Sequence, residues 1–196
     1  MTLDFENDYG DRIGKSNIIA KYSNKIIQFS EYLKNNGIPI SLFVVAQLLE
    51  KNQTTIDLIK NFDADIHSHS YSHTINQPDI EFEIFKSKEV LNKYLDINPM
   101  GFRSPQGVFN EKWLNSLVAN NYKFSSSIFP SYRYLKFNNL KLPIEPFHWS
   151  NGLIEFPLAV VPSLRLIYSL SYIKLLGLNF YKFLKSIFGL PNIVII

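Results

Sequence analysis

Short apolar runs alternate with longer segments of helical period along most of this 196-residue chain, and that alternation restricts its fold more than any other feature. TLDF (Thr2–Phe5) reads as a strand. Over residues 16–36, Ile18, Ile19, Tyr22, Ile26, Phe29, Tyr32 and Leu33 recur at helical spacing, and Gly37 closes the segment as a C-cap. IPISLFVV (38–45) is strand-like and is followed by expected helices over 47–51 and 54–61, after which ADIHS opens another strand at Ala64. GFRS from Gly101, YKFSS from Tyr122 and LIEFP from Leu153 continue the series, with helices expected over 80–95 and 110–120. Strand–helix–strand units pair in parallel through right-handed crossovers, so the expected class is α/β, as a barrel or an open sheet. The last run, NIVII (192–196), reads as a buried parallel strand with no turn or cap after it.

No repeat, low-complexity tract or linker interrupts the series, so a single domain over 1–196 is expected, long enough to bury one sizeable core. Twenty basic against 17 acidic side chains leave a net charge of +3 with no basic run, which sets nucleic acid aside as a partner. Cysteine is absent, so any metal must be held by His, Asp or Glu. The start, MTLDFEND, has neither the basic nor the apolar region of a secretory signal, which points to a cytoplasmic location. After Glu155 the only charged residues are Arg165, Lys174, Lys182 and Lys185. No uncharged apolar stretch there is long enough to span a bilayer. Residues 163–188 are expected to form a helical cover with a break at Gly177. Their purely basic charge also permits a helix lying at a membrane surface, so a membrane-peripheral location is the second reading.

Three of the four histidines fall within seven residues, in DIHSHSYSH (65–73). His69 and His73 stand four apart, which on a helical turn puts both rings on one face within reach of one ion; the same spacing also occurs on solvated helix faces. If residues 2–8 are extended, Asp4, Glu6 and Asp8 lie on one side and Leu3 and Phe5 on the other. Sites in parallel α/β proteins gather at the C-terminal ends of strands, where these carboxylates and the histidines could meet. The competing reading is an acidic surface turn in which Asn7 or Asp8 caps the next helix. His67 reads as a structural histidine.

Asp4, then His69-Ser70-Tyr71-Ser72-His73, then Arg103-Ser104-Pro105 with Gly107 beyond, occur in the order of the motifs of the NodB-homology polysaccharide deacetylases, carbohydrate esterase family four, which the chain resembles. SLFVV (41–45) is similar to that family's second strand, and SSSIFP (125–130) to the stretch following its fourth motif. The resemblance implies a distorted (β/α) barrel, here lacking the segment after its last strand. It also implies a divalent metal, usually zinc, held by one carboxylate and two histidines. By position the histidines would be His69 and His73, and the carboxylate Glu6, with Asp8 as the other choice. Asp4 would be the general base, kept ionised by Arg103 beside it.

Two departures accompany the likeness. Ser125 stands where related sequences often carry an aspartate that supports the arginine. The family's last motif, a histidine acting as general acid beyond the final strand, has no counterpart; His148 is the remaining histidine able to substitute, although its place after Pro146 and beside Trp149 reads as loop packing. The implied activity is metal-dependent removal of N-acetyl, or less favoured O-acetyl, groups from an acetylated carbohydrate. An amidohydrolase of the same fold acting on a small non-sugar amide and a catalytically disabled glycan-binding protein are the alternatives.

Overall fold

In the computed structural model, which describes residues 1–7, 18–74 and 79–189, the alternation becomes a parallel sheet with helices between its strands. Strand β1 (Thr2–Phe5) precedes helices α1 (Ile18–Lys21) and α2 (Ser23–Asn35), so the expected single helix is broken at Tyr22. Next come β2 (Ile40–Val44), α3 (Gln47–Lys51), α4 (Gln53–Lys60), β3 (Ala64–Ser68), α5 (Ile80–Leu95) and β4 (Gly101–Phe102). Then follow α6 (Glu111–Ala119) and β5 (Phe124–Ser125). Three of these helices begin at an Asn or Asp whose side chain accepts backbone N–H groups: Asn52 from Thr54, Asp79 from Phe82, and Asn110 from Lys112 and Trp113. Each such cap is worth about 1 kcal/mol and fixes where the chain turns back along the sheet. Asp8 and the NIVII run lie outside the described residues.

The second half carries β9 (Ile154–Glu155), where LIEFP predicts a strand, and five short strands that residue periodicity could not reveal: β6 (Tyr132–Arg133), β7 (Phe137–Asn138), β8 (Phe147–His148), β10 (Val160–Val161) and β11 (Leu166–Ile167). The sheet order is β1-β2-β3-β4-β5-β9-β8, parallel throughout except for β8, which pairs antiparallel at the edge. β6 with β7, and β10 with β11, form separate antiparallel ribbons. The sheet curls strongly, because Arg103, just past β4, touches residues of β1 three strands away. Among the described residues no pairing joins β1 to β8.

β2 is a near-continuous apolar run because helices cover one face and the curled sheet the other; Leu42, Phe43 and Val44 are fully enclosed. Leu42 and Val44 pack with Leu33, Leu49, Ile59 and Leu91 of the surrounding helices, while Trp113 and Leu117 of α6 meet Phe102, Tyr122 and Leu153. Helices α7 (Leu170–Leu176) and α8 (Leu178–Phe188) follow, with the expected break at Gly177, whose φ of +92° is one that side-chain-bearing residues avoid. The expected cover is a partial one. α8 buries Tyr181 and Leu184 against β10 and β11, with the Tyr181 hydroxyl donating to the Ile167 carbonyl at 2.6 Å, whereas α7 buries no residue.

Candidate metal centre

The parallel strands β1, β3 and β4 deliver their C-terminal ends to one mouth. His69 follows β3 directly, and its backbone N–H donates to the Val44 carbonyl at 2.9 Å. Its Nδ1 lies 2.8 Å from the Arg103 carbonyl oxygen. A carbonyl only accepts, so Nδ1 carries the proton and Nε2 turns its lone pair to the mouth. There Nε2 stands 3.8 Å from Asp4 Oδ2 and 3.9 Å from Glu6 Oε2. His73 Nε2 is 2.8 Å from the same Glu6 oxygen, and the two imidazole rings are 4.9 Å apart.

The two histidines do not share a helical turn. Residues 69–73 form an irregular loop in which Ser70 and His73 adopt φ of +64° and +62°, a conformation that costs a side-chain-bearing residue about 1–3 kcal/mol and persists only where surroundings enforce it. Glu83 of α5 supplies the enforcement. One carboxylate oxygen accepts from the Tyr71 and Ser72 backbone N–H groups at 2.9 and 2.8 Å, and the other from the Ser72 hydroxyl at 2.5 Å. Ser70 Oγ accepts from the His73 N–H at 3.1 Å. Glu83 went unnoticed in the sequence; the available signal was an acidic residue on the stripe of α5 (Glu83, Ile84, Ser87, Val90, Leu91) that helical period turns inward.

One ligand atom each from Glu6, His69 and His73 lie within 4.8 Å of one another. Glu6 Oε2 is buried and, although His73 Nε2 lies 2.8 Å away, no hydrogen bond of good geometry satisfies it, a cost that coordination of a cation would remove. Burial holds His69 below the usual imidazole pKa, with Asp4 opposing the shift, so the ring is neutral and its lone pair available. One carboxylate oxygen and two imidazole nitrogens fit a divalent ion.

Asp4 is differently engaged. Its Oδ1 accepts from Arg103 Nη1 at 2.7 Å, leaving Oδ2 toward His69. Burial alone would push the Asp4 carboxyl up, but the Arg103 guanidinium, helped by His69 and His73, outweighs it and holds the group below the usual carboxylate range. The arginine is enclosed, only 3% exposed, and fully committed: Nε donates to the Ser126 carbonyl at 2.8 Å, Nη2 to Ser126 Oγ and Thr2 Oγ1 at 3.0 Å each, and the guanidinium carbon sits 4.0 Å from the Phe43 ring centroid. Such a fork fixes Asp4 in one orientation.

A carboxylate reaches the Ser125 segment from β9. Glu155, fully buried, accepts from the Ser127 and Ile128 backbone N–H groups at 2.7 and 3.0 Å and from the Trp149 indole at 3.3 Å. Ser127 Oγ in turn accepts from the Ser104 N–H at 2.9 Å and meets Ser125 Oγ at 2.8 Å. Glu155 thus fixes the strand end whose Ser126 holds Arg103. Burial raises its pKa, and the donors around it offset part of that shift. Because every neighbour donates, Glu155→Gln would set an amide N–H against another N–H. We expect a loss of about 1–3 kcal/mol in urea unfolding, with no loss refuting the anchoring role. The sequence signal was an acidic residue between Ile154 and Phe156 in an apolar run.

The mouth opens into a cavity of about 360 Å³. Its polar wall is Asp4, Glu6, His69, His73 and Arg103; Phe129, Phe137, Leu158, Ile167, Tyr168 and Tyr172 form the apolar one. Phe129 and Phe137 stack at 5.7 Å, and Gly107 is what lets them do so, since a Cβ there would stand 2.8 Å from the Phe129 ring. Larger hollows lie beside Lys34, Pro39 and Asp63 (about 430 Å³) and between α5 and α6 (about 1070 Å³), but no histidine lines either. His148 lies on the edge strand β8, exposed, with Nδ1 3.4 Å from the Gly152 carbonyl, and does not line the cavity. His67 is packed between Phe43 and Phe124, at 5.3 and 4.9 Å between ring centroids, and is likewise outside it.

A polysaccharide deacetylase family model matches residues 18–125 of the chain. Among solved structures it is similar to a protein of Mycobacterium smegmatis assigned to the polysaccharide deacetylases, at 17% identity and a TM-score of 0.59 over 92% of this chain and 62% of the other. A deacetylase from Streptococcus pyogenes, solved with acetate, matches at 18% identity and a TM-score of 0.50 over 66% of this chain and 55% of its own. The chain therefore spans roughly three fifths of the length of these two proteins. No curated protein matches it in sequence.

Proposed function

The chain belongs to the polysaccharide deacetylase family, and from that premise we propose that it is a metal-dependent hydrolase removing N-acetyl groups, or alternatively O-acetyl groups, from a carbohydrate. The observation that carries this reading is the Glu6–His69–His73 cluster beside the Asp4–Arg103 pair at one mouth of the parallel strands. Glu6, His69 and His73 would hold a divalent ion such as zinc, which when bound would supply Lewis acidity and lower the pKa of a water. Asp4 accepts the proton of the attacking water at Oδ2, the oxygen that Arg103 leaves free. Arg103 keeps Asp4 ionised and aimed, at some cost in basicity. An amine leaves only after it is protonated, and Asp4, having taken the water's proton, is a described group able to return it. The apolar wall opposite the polar one shields the reacting carbonyl from bulk water.

Elemental mass spectrometry of the purified protein should find a near-stoichiometric divalent ion. His69→Ala, His73→Ala should lose that ion while keeping its circular dichroism spectrum; full retention of metal would remove the site. The activity is read as acetate release, the acid found with the Streptococcus pyogenes protein. Release from acetylated chitooligosaccharides but not from simple acetamides supports a sugar substrate, and the reverse pattern a small amide. A stoichiometric ion without turnover of either would favour a glycan-binding protein.

A further inference from the structure

The rim of the site exposes apolar side chains on two unrelated elements. One is the ribbon of β6 and β7, which lends Arg133 and Phe137 to the cavity and whose turn holds Tyr134 74% and Leu135 88% exposed, between Arg133 and Lys136. The other is the α7–α8 pair, which lends Leu170 to Tyr172 to the cavity. On α8 the residues Phe180, Phe183 and Ile187 recur at i, i+3 and i+7. They form an uncovered stripe beside the packed one of Tyr181 and Leu184; Leu175, on α7, is 77% exposed. Every charge on this pair is a lysine (Lys174, Lys182, Lys185), and the chain holds no acidic residue after Glu155. Exposed aliphatic and aromatic side chains with positive charge alone are what a bilayer bearing anionic headgroups attracts, through apolar burial and through charge. A protein partner matched only by apolar contact would leave that uniform charge unexplained.

We propose that this rim docks onto an anionic lipid bilayer, so that the mouth of the site faces the membrane and takes an acylated sugar held there by a lipid. No helix of the described residues is long and apolar enough to cross a membrane, which makes the contact one of surface insertion. The lipid-held sugar rests on the deacetylase reading above; the docking does not. Burial of Leu175, Phe183 and Ile187 among the headgroups supplies the apolar part. Each lysine near such a surface strengthens binding by roughly fivefold, so three together contribute on the order of 100-fold.

The test is co-sedimentation with vesicles of phosphatidylcholine alone and of phosphatidylcholine mixed with phosphatidylglycerol. The 196-residue protein should pellet with the mixed vesicles only, less so as salt rises. Leu175→Glu, Phe183→Glu should stay in the supernatant, and Lys174→Gln, Lys182→Gln, Lys185→Gln should bind about 100-fold more weakly. Both should release acetate from soluble sugars as the parent does, because none of these residues lines the cavity. Failure of the parent to pellet, or equal pelleting by the Glu variant, overturns the docking. So does a dimer that the Glu variant dissociates while vesicles go unbound, which would assign the face to a second copy. Vesicle binding with no turnover of any acetylated sugar would strike the deacetylase reading and leave the docking standing.

Discussion

Asp4→Asn should lower kcat for acetate release by about 10²–10⁴-fold while metal content stays unchanged. Asparagine keeps the shape of the side chain, and its carbonyl oxygen can still accept from Arg103 Nη1 where Oδ1 now does, at 2.7 Å. What it cannot do is take a proton at the position of Oδ2, which stands 3.8 Å from His69 Nε2. Glu6→Ala is the informative contrast. It removes a member of the ligand cluster, so turnover and metal should fall together. Should Glu6→Ala keep its metal and Asp8→Ala lose it, Asp8 is the carboxylate ligand. If Asp4→Asn retains full activity, the base lies elsewhere.

The helices and longer strands of the first 125 residues were legible because each spans enough residues to show a period, and because Gly37 marks where one helix stops. Of the two-residue strands, β4, β5 and β9 fall in the runs GFRS, YKFSS and LIEFP that the sequence marks, whereas β6, β7, β8, β10 and β11 were not legible, since two residues have no period. The site divides in the same way. Asp4 and Glu6, two apart at the end of an extended run, fall on one side as alternation predicts, and both approach His69. The His69–His73 spacing suggested one helical turn, whereas two left-handed residues and the Glu83 carboxylate bring the rings together instead. Neither Glu83 nor Glu155 touches a ligand atom; each works by accepting backbone N–H groups from a loop distant in sequence, which residue spacing cannot report.

Arg103→Leu should destabilise the metal-free protein by about 2–4 kcal/mol at neutral pH. A stranded buried charge typically costs about 3–5 kcal/mol. Here the Asp4 side chain keeps 38% of its surface accessible, and the water that reaches it lowers the figure. Part of the loss comes from the Ser126 carbonyl and Thr2 hydroxyl, which give up their donor, and from the contact with Phe43. The pH dependence separates the charge from these neutral losses. In the parent, Asp4 titrates below its unfolded value, so the stability it contributes is complete above that value and fades as pH falls through the folded one. Without the guanidinium the largest pull that lowers the carboxyl is gone while partial burial still opposes ionisation, so ionised Asp4 no longer adds that stability. The gap between parent and variant in urea unfolding should therefore be widest near neutrality and narrow as the pH drops toward about 4 and below. A gap that stays constant over that range would mean that Arg103 acts through packing and neutral hydrogen bonds, and that its pairing with Asp4 contributes no net stability.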